Sequence, residues 1–426
     1  MLRKILHLSF ENKIIINQLN NHKKVSQFVV QKKYFSVSNE NNEQKIKNEP
    51  SISQDDESED SESIDKIKKL SDLLDNSANF NDVTNREWMT MPYPEDAVKH
   101  LDKKQERRKI SPEDTSIFLC PGQGALKVGA VKKYLRYPRV KELFQIGNDI
   151  LGFDILDICL NGPQEKLNRT EYNQVATVMT SLSALEKLWE DSPDMVTSCK
   201  VIAGYSVGEL TALAYAGSIS IEDAIRLASV RGIAMQQASE LEPQGMITVI
   251  HNKETESMGK ICTEAREWAV NLGISEPVCS VSSYLYANAK VIAGHLPAIE
   301  FIEKNYKQFR IQRVIKLPVS GAFHTPLMKP AMQSLRRALN NTEIEDPRIV
   351  VYSNVTAKPY RSAIEIRQTL PLQMIKQSKW EQILHEIFNR PQDHVFPYSY
   401  DLGSGGTMKV ILSRLNLAAS RFCEPI

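Results

Sequence analysis

Two short apolar runs in this 426-residue chain end in glycine turns that open helices, and that punctuation limits the fold more than any other feature. Ile117-Phe118-Leu119-Cys120 meets Pro121-Gly122-Gln123-Gly124, with a helical stretch expected after it, and Val201-Ile202-Ala203 runs into Gly204 ahead of good helix formers at 209–216. Strands that end this way return to one parallel sheet, with their loops gathered at the strand carboxyl ends. The expected class is therefore α/β, a hydrolase-like large domain on a parallel sheet whose working edge lies at those ends.

Between residues 244 and 318 the pattern changes. Residues 246–250, 277–281, 290–293 and 310–317 read as strands, separated by helical stretches at 254–271 and 297–305. That βαββαβ order predicts a ferredoxin-like small subdomain at 244–318, inserted between the two parts of the large domain at 113–243 and 319–426. Upstream, 39–112 is an acidic linker and N-terminal extension. Its run Gln54-Asp55-Asp56-Glu57-Ser58-Glu59-Asp60-Ser61-Glu62 is too polar to order itself, and the part near Trp88 carries no motif.

Charge excludes one class of partner. Lys+Arg number 53 against 52 Asp+Glu, so no global basic surface exists for nucleic acid. No stretch approaches the ~18 apolar residues needed to span a bilayer. The six cysteines (120, 159, 199, 262, 279 and 423) are scattered with no metal-ligand spacing and read as reduced thiols, so no metal is expected.

The chemistry centres on Gly204-Tyr205-Ser206-Val207-Gly208. A G-x-S-x-G string also arises by chance, but here it follows a strand and precedes a helix, the context of a nucleophile elbow. The helix aims its first amides at the reacting centre, and the Val207 N–H is a natural oxyanion donor. A serine needs a base. Of eight histidines, His324 lies in a glycine- and proline-punctuated loop, Gly321-Ala322-Phe323-His324-Thr325-Pro326, after an apolar strand, whereas His100, His385 and His394 sit in charged surroundings. A lone histidine can equally be a satisfied structural group, and Arg231, taken alone, reads as a solvated helix-face residue.

These segments together resemble the malonyl-CoA:acyl carrier protein transacylases, most closely the stand-alone mitochondrial members. Pro121 to Gly124, the elbow through Glu209, Arg231-Gly232 with Met235-Gln236, Ile292-Ala293-Gly294-His295, Gly321 to Met328, Tyr352-Ser353-Asn354-Val355 and 373–380 occur in the family's order over residues 115–415. The resemblance implies transfer of a malonyl group from malonyl-CoA to the phosphopantetheine thiol of acyl carrier protein, through a malonyl-serine ester, in mitochondrial fatty acid synthesis. It makes Ser206 the nucleophile, His324 the base, and the N–H groups of Gln123 and Val207 the oxyanion hole. It also has the Gln373 carbonyl orient the histidine, with no triad aspartate. Arg231, Phe323 and Met235 become substrate-binding residues; a guanidinium suits the free malonyl carboxylate, and the Phe323 ring would crowd a branched acyl chain. No cofactor is implied, and a monomer is expected.

Some positions depart from the family pattern. Tyr205 replaces the usual histidine, Cys120 a phenylalanine, Leu126 a glutamine and Gln377 a proline; Asp401-Leu402-Gly403-Ser404-Gly405-Gly406 replaces E-V-G-P-G. A serine hydrolase and a scaffold retaining only the fold are the rival readings. An α/β-hydrolase places an acid between serine and histidine in the chain, where this sequence has the insert and Arg231. A scaffold has no physical need for Ser206, His324, Gln123 and Arg231 together. Lys127, Lys132 and Lys133 are candidates for an acidic carrier. Residues 1–38 carry seven basic groups against Glu11, with apolar residues interleaved, the composition of a mitochondrial matrix presequence. Its removal takes the net charge from +1 to −5.

Overall fold

The structure is a computed structural model that describes residues 114–319, 321–390 and 394–426. The expected presequence at 1–38 and extension at 39–112 lie outside the described residues. Strand β1 (Ser116–Cys120) is buried at every position. Its unbroken apolar run suits a central parallel strand covered on both faces. The chain does not then enter a helix directly, as the sequence predicts. Gly124 and Gly129 take φ of 99° and 85°, so the turn is prolonged into a loop, and a 3-10 turn at Ala130–Tyr134 precedes helix α1 (Pro138–Leu151). Long α2 (Thr170–Asp191), mostly buried, leads to β2 (Cys199–Gly204), α3 (Gly208–Tyr215) and α4 (Ile221–Glu240). Ser220 starts α4 by accepting the Asp223 amide at 2.9 Å on its side chain.

The next segment forms its own sheet. It comprises β3 (Gln244–Ile250), α5 (Met258–Asn271), β4 (Cys279–Tyr286), β5 (Ala289–His295), α6 (Leu296–Asn305) and β6 (Arg313–Lys316). The strands lie in the order β4-β5-β3-β6, each pair antiparallel, which is the ferredoxin-like arrangement. Last-strand pairing is shorter than the apolar pattern suggests, because Arg310 holds a left-handed φ of 55° in the turn before it. Alternation divides β3 between two environments. Ile247 and Val249 pack with Ile261, Ala265, Ile299 and Ile302 under α5 and α6. Met246 and Thr248 point the other way, toward the elbow.

The chain then returns to the first sheet through α7 (Lys329–Asn340), β7 (Val350–Val351), α8 (Trp380–Phe388), β8 (Tyr398–Asp401), α9 (Thr407–Leu415) and β9 (Cys423–Pro425). Five parallel strands run β7-β2-β1-β8-β9. One face, with Phe118 and Ile202, packs on residues of α2 and α4; the other, with Ile117, Leu119 and Ala203, packs on Trp380, Ile383 and Leu384 of α8 and Met408 and Leu412 of α9. Cys120 pairs with Gly204, so the loops leaving β1 and β2 emerge side by side at the carboxyl edge. All six cysteines are buried and unpaired. Among the described residues no helix is long and apolar enough to cross a membrane, and no cluster of three or more His, Cys, Asp or Glu could hold a metal ion.

Candidate active site

The elbow is built by close backbone approach. A Cβ on Gly204 would stand 2.0 Å from the Gly208 carbonyl carbon, and one on Gly208 would stand 2.5 Å from the Pro121 oxygen, so only glycine lets the strand turn this tightly into α3. Ser206, at the apex, holds φ of 53°. That conformation is costly for a non-glycine residue and is kept by its surroundings. The Tyr205 amide donates to the Cys120 carbonyl at 2.9 Å, the Ser206 amide to Asn354 Oδ1 at 2.9 Å, and Asn354 Nδ2 to the Gly204 carbonyl at 2.6 Å. The Tyr205 hydroxyl donates to Ser283 Oγ at 2.9 Å.

His324 approaches from the opposite loop, also left-handed at φ 61°. Its Nε2 lies 2.9 Å from Ser206 Oγ, and its Nδ1 lies 2.6 Å from the Gln373 main-chain oxygen. A carbonyl only accepts, so Nδ1 carries the proton and Nε2 is left to receive the serine proton. Burial pushes the imidazole down to about 4, helped by the Arg231 charge and opposed by backbone hydrogen bonds at Gln373 and Lys376. The ring is therefore neutral near pH 7, the form a general base needs.

Arg231 lies inside rather than on a solvated helix face, with 2% of its surface exposed. Its guanidinium donates to Gln174 Oε1 at 2.7 Å, Gln373 Oε1 at 2.8 Å and Ser206 Oγ at 3.2 Å. Burial draws it down to about 10, with Glu209 acting against the shift, so it stays cationic at neutral pH. A buried cation one hydrogen bond from the serine oxygen can pair with an acyl group that ends in an anion.

The reacting pair opens into a cavity of about 220 Å³. Gly122, Gln123, Phe323 and His324 line it from the large domain, and Met246, Thr248 and Val291 line it from the small sheet. Among the described residues, no turn or loop carbonyl takes the amide of Gln123 or of Val207. Val207 is fully buried at the start of α3. Met235 is not on the wall; its Sδ accepts Gln174 Nε2 at 3.3 Å, so it backs the residue that holds Arg231. All three lysines are exposed, and Lys133 Nζ donates to the Ile426 carbonyl at 2.8 Å.

Sequence reasoning missed four members of this site: Gln174, Glu209, Asn354 and Tyr360. Glu209 carried a readable signal, a carboxylate directly after the second elbow glycine and at the head of an otherwise apolar helix. Asn354 lies in a segment matched to the family without a role, and Gln174 has no local signal at all.

A chain with this double-wound sheet, elbow and serine–histidine pair is matched at residues 117–382 by the family model described as acyl transferase domain, and it belongs to that family. A probable mitochondrial malonyl-CoA-acyl carrier protein transacylase of Drosophila melanogaster is 42% identical over 319 residues, covering 75% of this chain and 84% of that protein. The human mitochondrial malonyl-CoA-acyl carrier protein transacylase is 42% identical over 314 residues, covering 74% and 80%. The crystal structure of acyl-carrier-protein-S-malonyltransferase from Bartonella henselae superposes with a TM-score of 0.66 at 26% identity, over 73% of this chain and 95% of that one. Within the acyl transferases, the chain falls among the malonyl-CoA-acyl carrier protein transacylases of the mitochondrial type.

Proposed function

We propose that this protein moves a malonyl group from malonyl-CoA to the phosphopantetheine thiol of acyl carrier protein in mitochondrial fatty acid synthesis. The observation that carries the reading is the position of Ser206 Oγ, 2.9 Å from a neutral imidazole and 3.2 Å from a buried guanidinium. Ser206 attacks the thioester carbonyl while His324 Nε2 takes its proton, and the amides of Gln123 and Val207 receive the developing oxyanion, each such donor being worth about 10²–10³ in rate. Collapse expels the CoA thiol, which takes the proton from His324, and leaves a malonyl ester on Ser206. The carrier thiol then attacks that ester with His324 as base, and the products are malonyl-carrier and free serine. Arg231 holds the malonyl carboxylate throughout, Phe323 walls the acyl pocket, Met235 supports it from behind, and the Gln373 carbonyl keeps His324 in its working tautomer.

The reading includes a matrix location reached through a presequence at 1–38, an extension at 39–112, a large subdomain in two parts (113–243 and 319–426) around a small one (244–318), a monomeric state, and no cofactor. A main-chain carbonyl behind the histidine, rather than a carboxylate, supports transfer over hydrolysis of the α/β-hydrolase kind.

The test is to weigh the intact protein after exposure to malonyl-CoA without carrier, beside Ser206→Ala and an acetyl-CoA control. A malonyl-sized adduct that needs Ser206 and passes to added carrier is the expected result. An adduct lost to water while the carrier receives nothing would make it a hydrolase.

A further inference from the structure

Glu209 is fully buried, and its carboxylate touches neither substrate cavity nor solvent. Oε2 accepts the Asn354 amide at 3.1 Å and Gln373 Nε2 at 2.6 Å, and Oε1 accepts the Tyr360 hydroxyl. Each of these partners leads to a different part of the reacting machinery. Asn354 takes the Ser206 amide on its side chain and holds the Gly204 carbonyl. Gln373 offers its main-chain oxygen to His324, its Oε1 to Arg231, and its Nε2 also to the Ser206 carbonyl at 3.1 Å.

We infer that Glu209 is the positioning residue of this site, fixing the Gln373 amide in the one orientation that gives Arg231 an acceptor and so setting recognition of a carboxylate-bearing acyl group. The inference rests on the malonyl-transfer reading. Its chemistry is one of donor and acceptor counting. Gln373 can present oxygen to Arg231 only if its nitrogen faces acceptors on the other side, and Glu209 Oε2, at 2.6 Å, is the nearer of the two it has, the Ser206 carbonyl standing at 3.1 Å. An apolar side chain at 209 would leave the Gln373 nitrogen only its longer bond to the Ser206 carbonyl, the Gln373 amide could turn over, and Arg231 would face a donor. Tyr360 and the Asn354 amide hold the carboxylate from the other directions, so the glutamate cannot follow its partner.

Burst acylation of Ser206 by malonyl-CoA and by acetyl-CoA, followed by intact mass in wild type, Glu209→Leu and Gln373→Met, tests the assignment. Glu209→Leu removes the acceptor at similar volume, and Gln373→Met keeps the carbonyl behind His324 while cutting the side-chain link to Arg231. Both are expected to malonylate about 10²-fold more slowly, the loss typical of a displaced binding group, with a smaller effect on acetyl, so that the malonyl preference shrinks. A purely structural glutamate would lower the melting temperature and leave the acyl preference of the folded fraction intact. That result in Glu209→Leu, or an unaltered preference in Gln373→Met where Glu209→Leu does not fold, overturns the inference. Wild type that forms no malonyl adduct overturns the transferase reading instead, so the two failures are told apart.

Discussion

Ser206 and His324 both occupy left-handed backbone, and the conformation aims a short side chain from each loop across the gap between them. Arg231 donates to Ser206 Oγ, and its charge does two jobs. Replacing it with alanine removes the partner of a desolvated carboxylate, a loss of about 2–5 kcal/mol in malonyl kcat/KM, with acetyl much less affected. Steady-state rates with both substrates read this directly. Lysine will not substitute, because one ammonium cannot serve Gln174, Gln373 and Ser206 from a planar fork. The same charge depresses the His324 pKa, after burial the next largest cause. In Arg231→Gln the acid limb of the pH–rate profile must therefore move up, from about 4 toward the ordinary histidine value of 6.5; a limb that stays or falls would contradict the assigned cause. Phe323 makes the third prediction at this scale. Its ring lines the cavity, so Phe323→Ala opens room for a methyl branch and should raise methylmalonyl acylation relative to malonyl, measured by competition and mass.

At the scale of elements, the elbow depends on β1 and β2 ending level, since Gly208 packs against the backbone of Cys120 and Pro121. Gly208→Ala forces a methyl into two carbonyl oxygens at 2.5 and 2.6 Å. The strands must part, and the expected cost is at or above the about 1–3 kcal/mol usual for overpacking, with loss of acylation in whatever folds. Helix α4 provides the contrast. Its cap Ser220 lies about three turns from Arg231, so Ser220→Ala should cost about 1 kcal/mol. That lowers the melting temperature by about 2–4 °C and leaves the acylation rate unchanged.

Over the whole molecule, two buried ionisable groups tie stability to pH with opposite signs. His324 has a folded pKa of about 4 against an ordinary 6.5. The unfolded chain thus binds its proton first, and stability is lost as pH falls from 6.5 to 4, by at most about 3 kcal/mol. Glu209 is raised to about 7, chiefly by burial, so its contribution is present below about 4.5 and is lost as pH rises through 7. Denaturant titrations of wild type and His324→Gln across pH 4 to 7 should differ in slope on the acid side, the variant falling less steeply. The cavity also belongs to this scale, since its wall comes from both sheets and neither encloses it alone.

Much of this was legible along the chain. Apolar runs meeting glycine turns gave away the parallel sheet, the change of rhythm after residue 244 gave away the second sheet, and the G-x-S-x-G string gave away the nucleophile, because each rests on contacts between near neighbours. His324, Arg231 and Met235 needed the family resemblance, since none of them carries a local signal of its role. Gln174, Glu209, Asn354 and Tyr360 had to await the tertiary structure. Their roles are hydrogen bonds spanning 57 to 164 residues of chain, and a buried polar side chain finds its partners only when packing has removed the water that would otherwise satisfy it. The sequence by itself determined which residues could react; the fold decided which of them meet, in what tautomer and at what charge, because distance and desolvation are properties of the packed chain and not of its order.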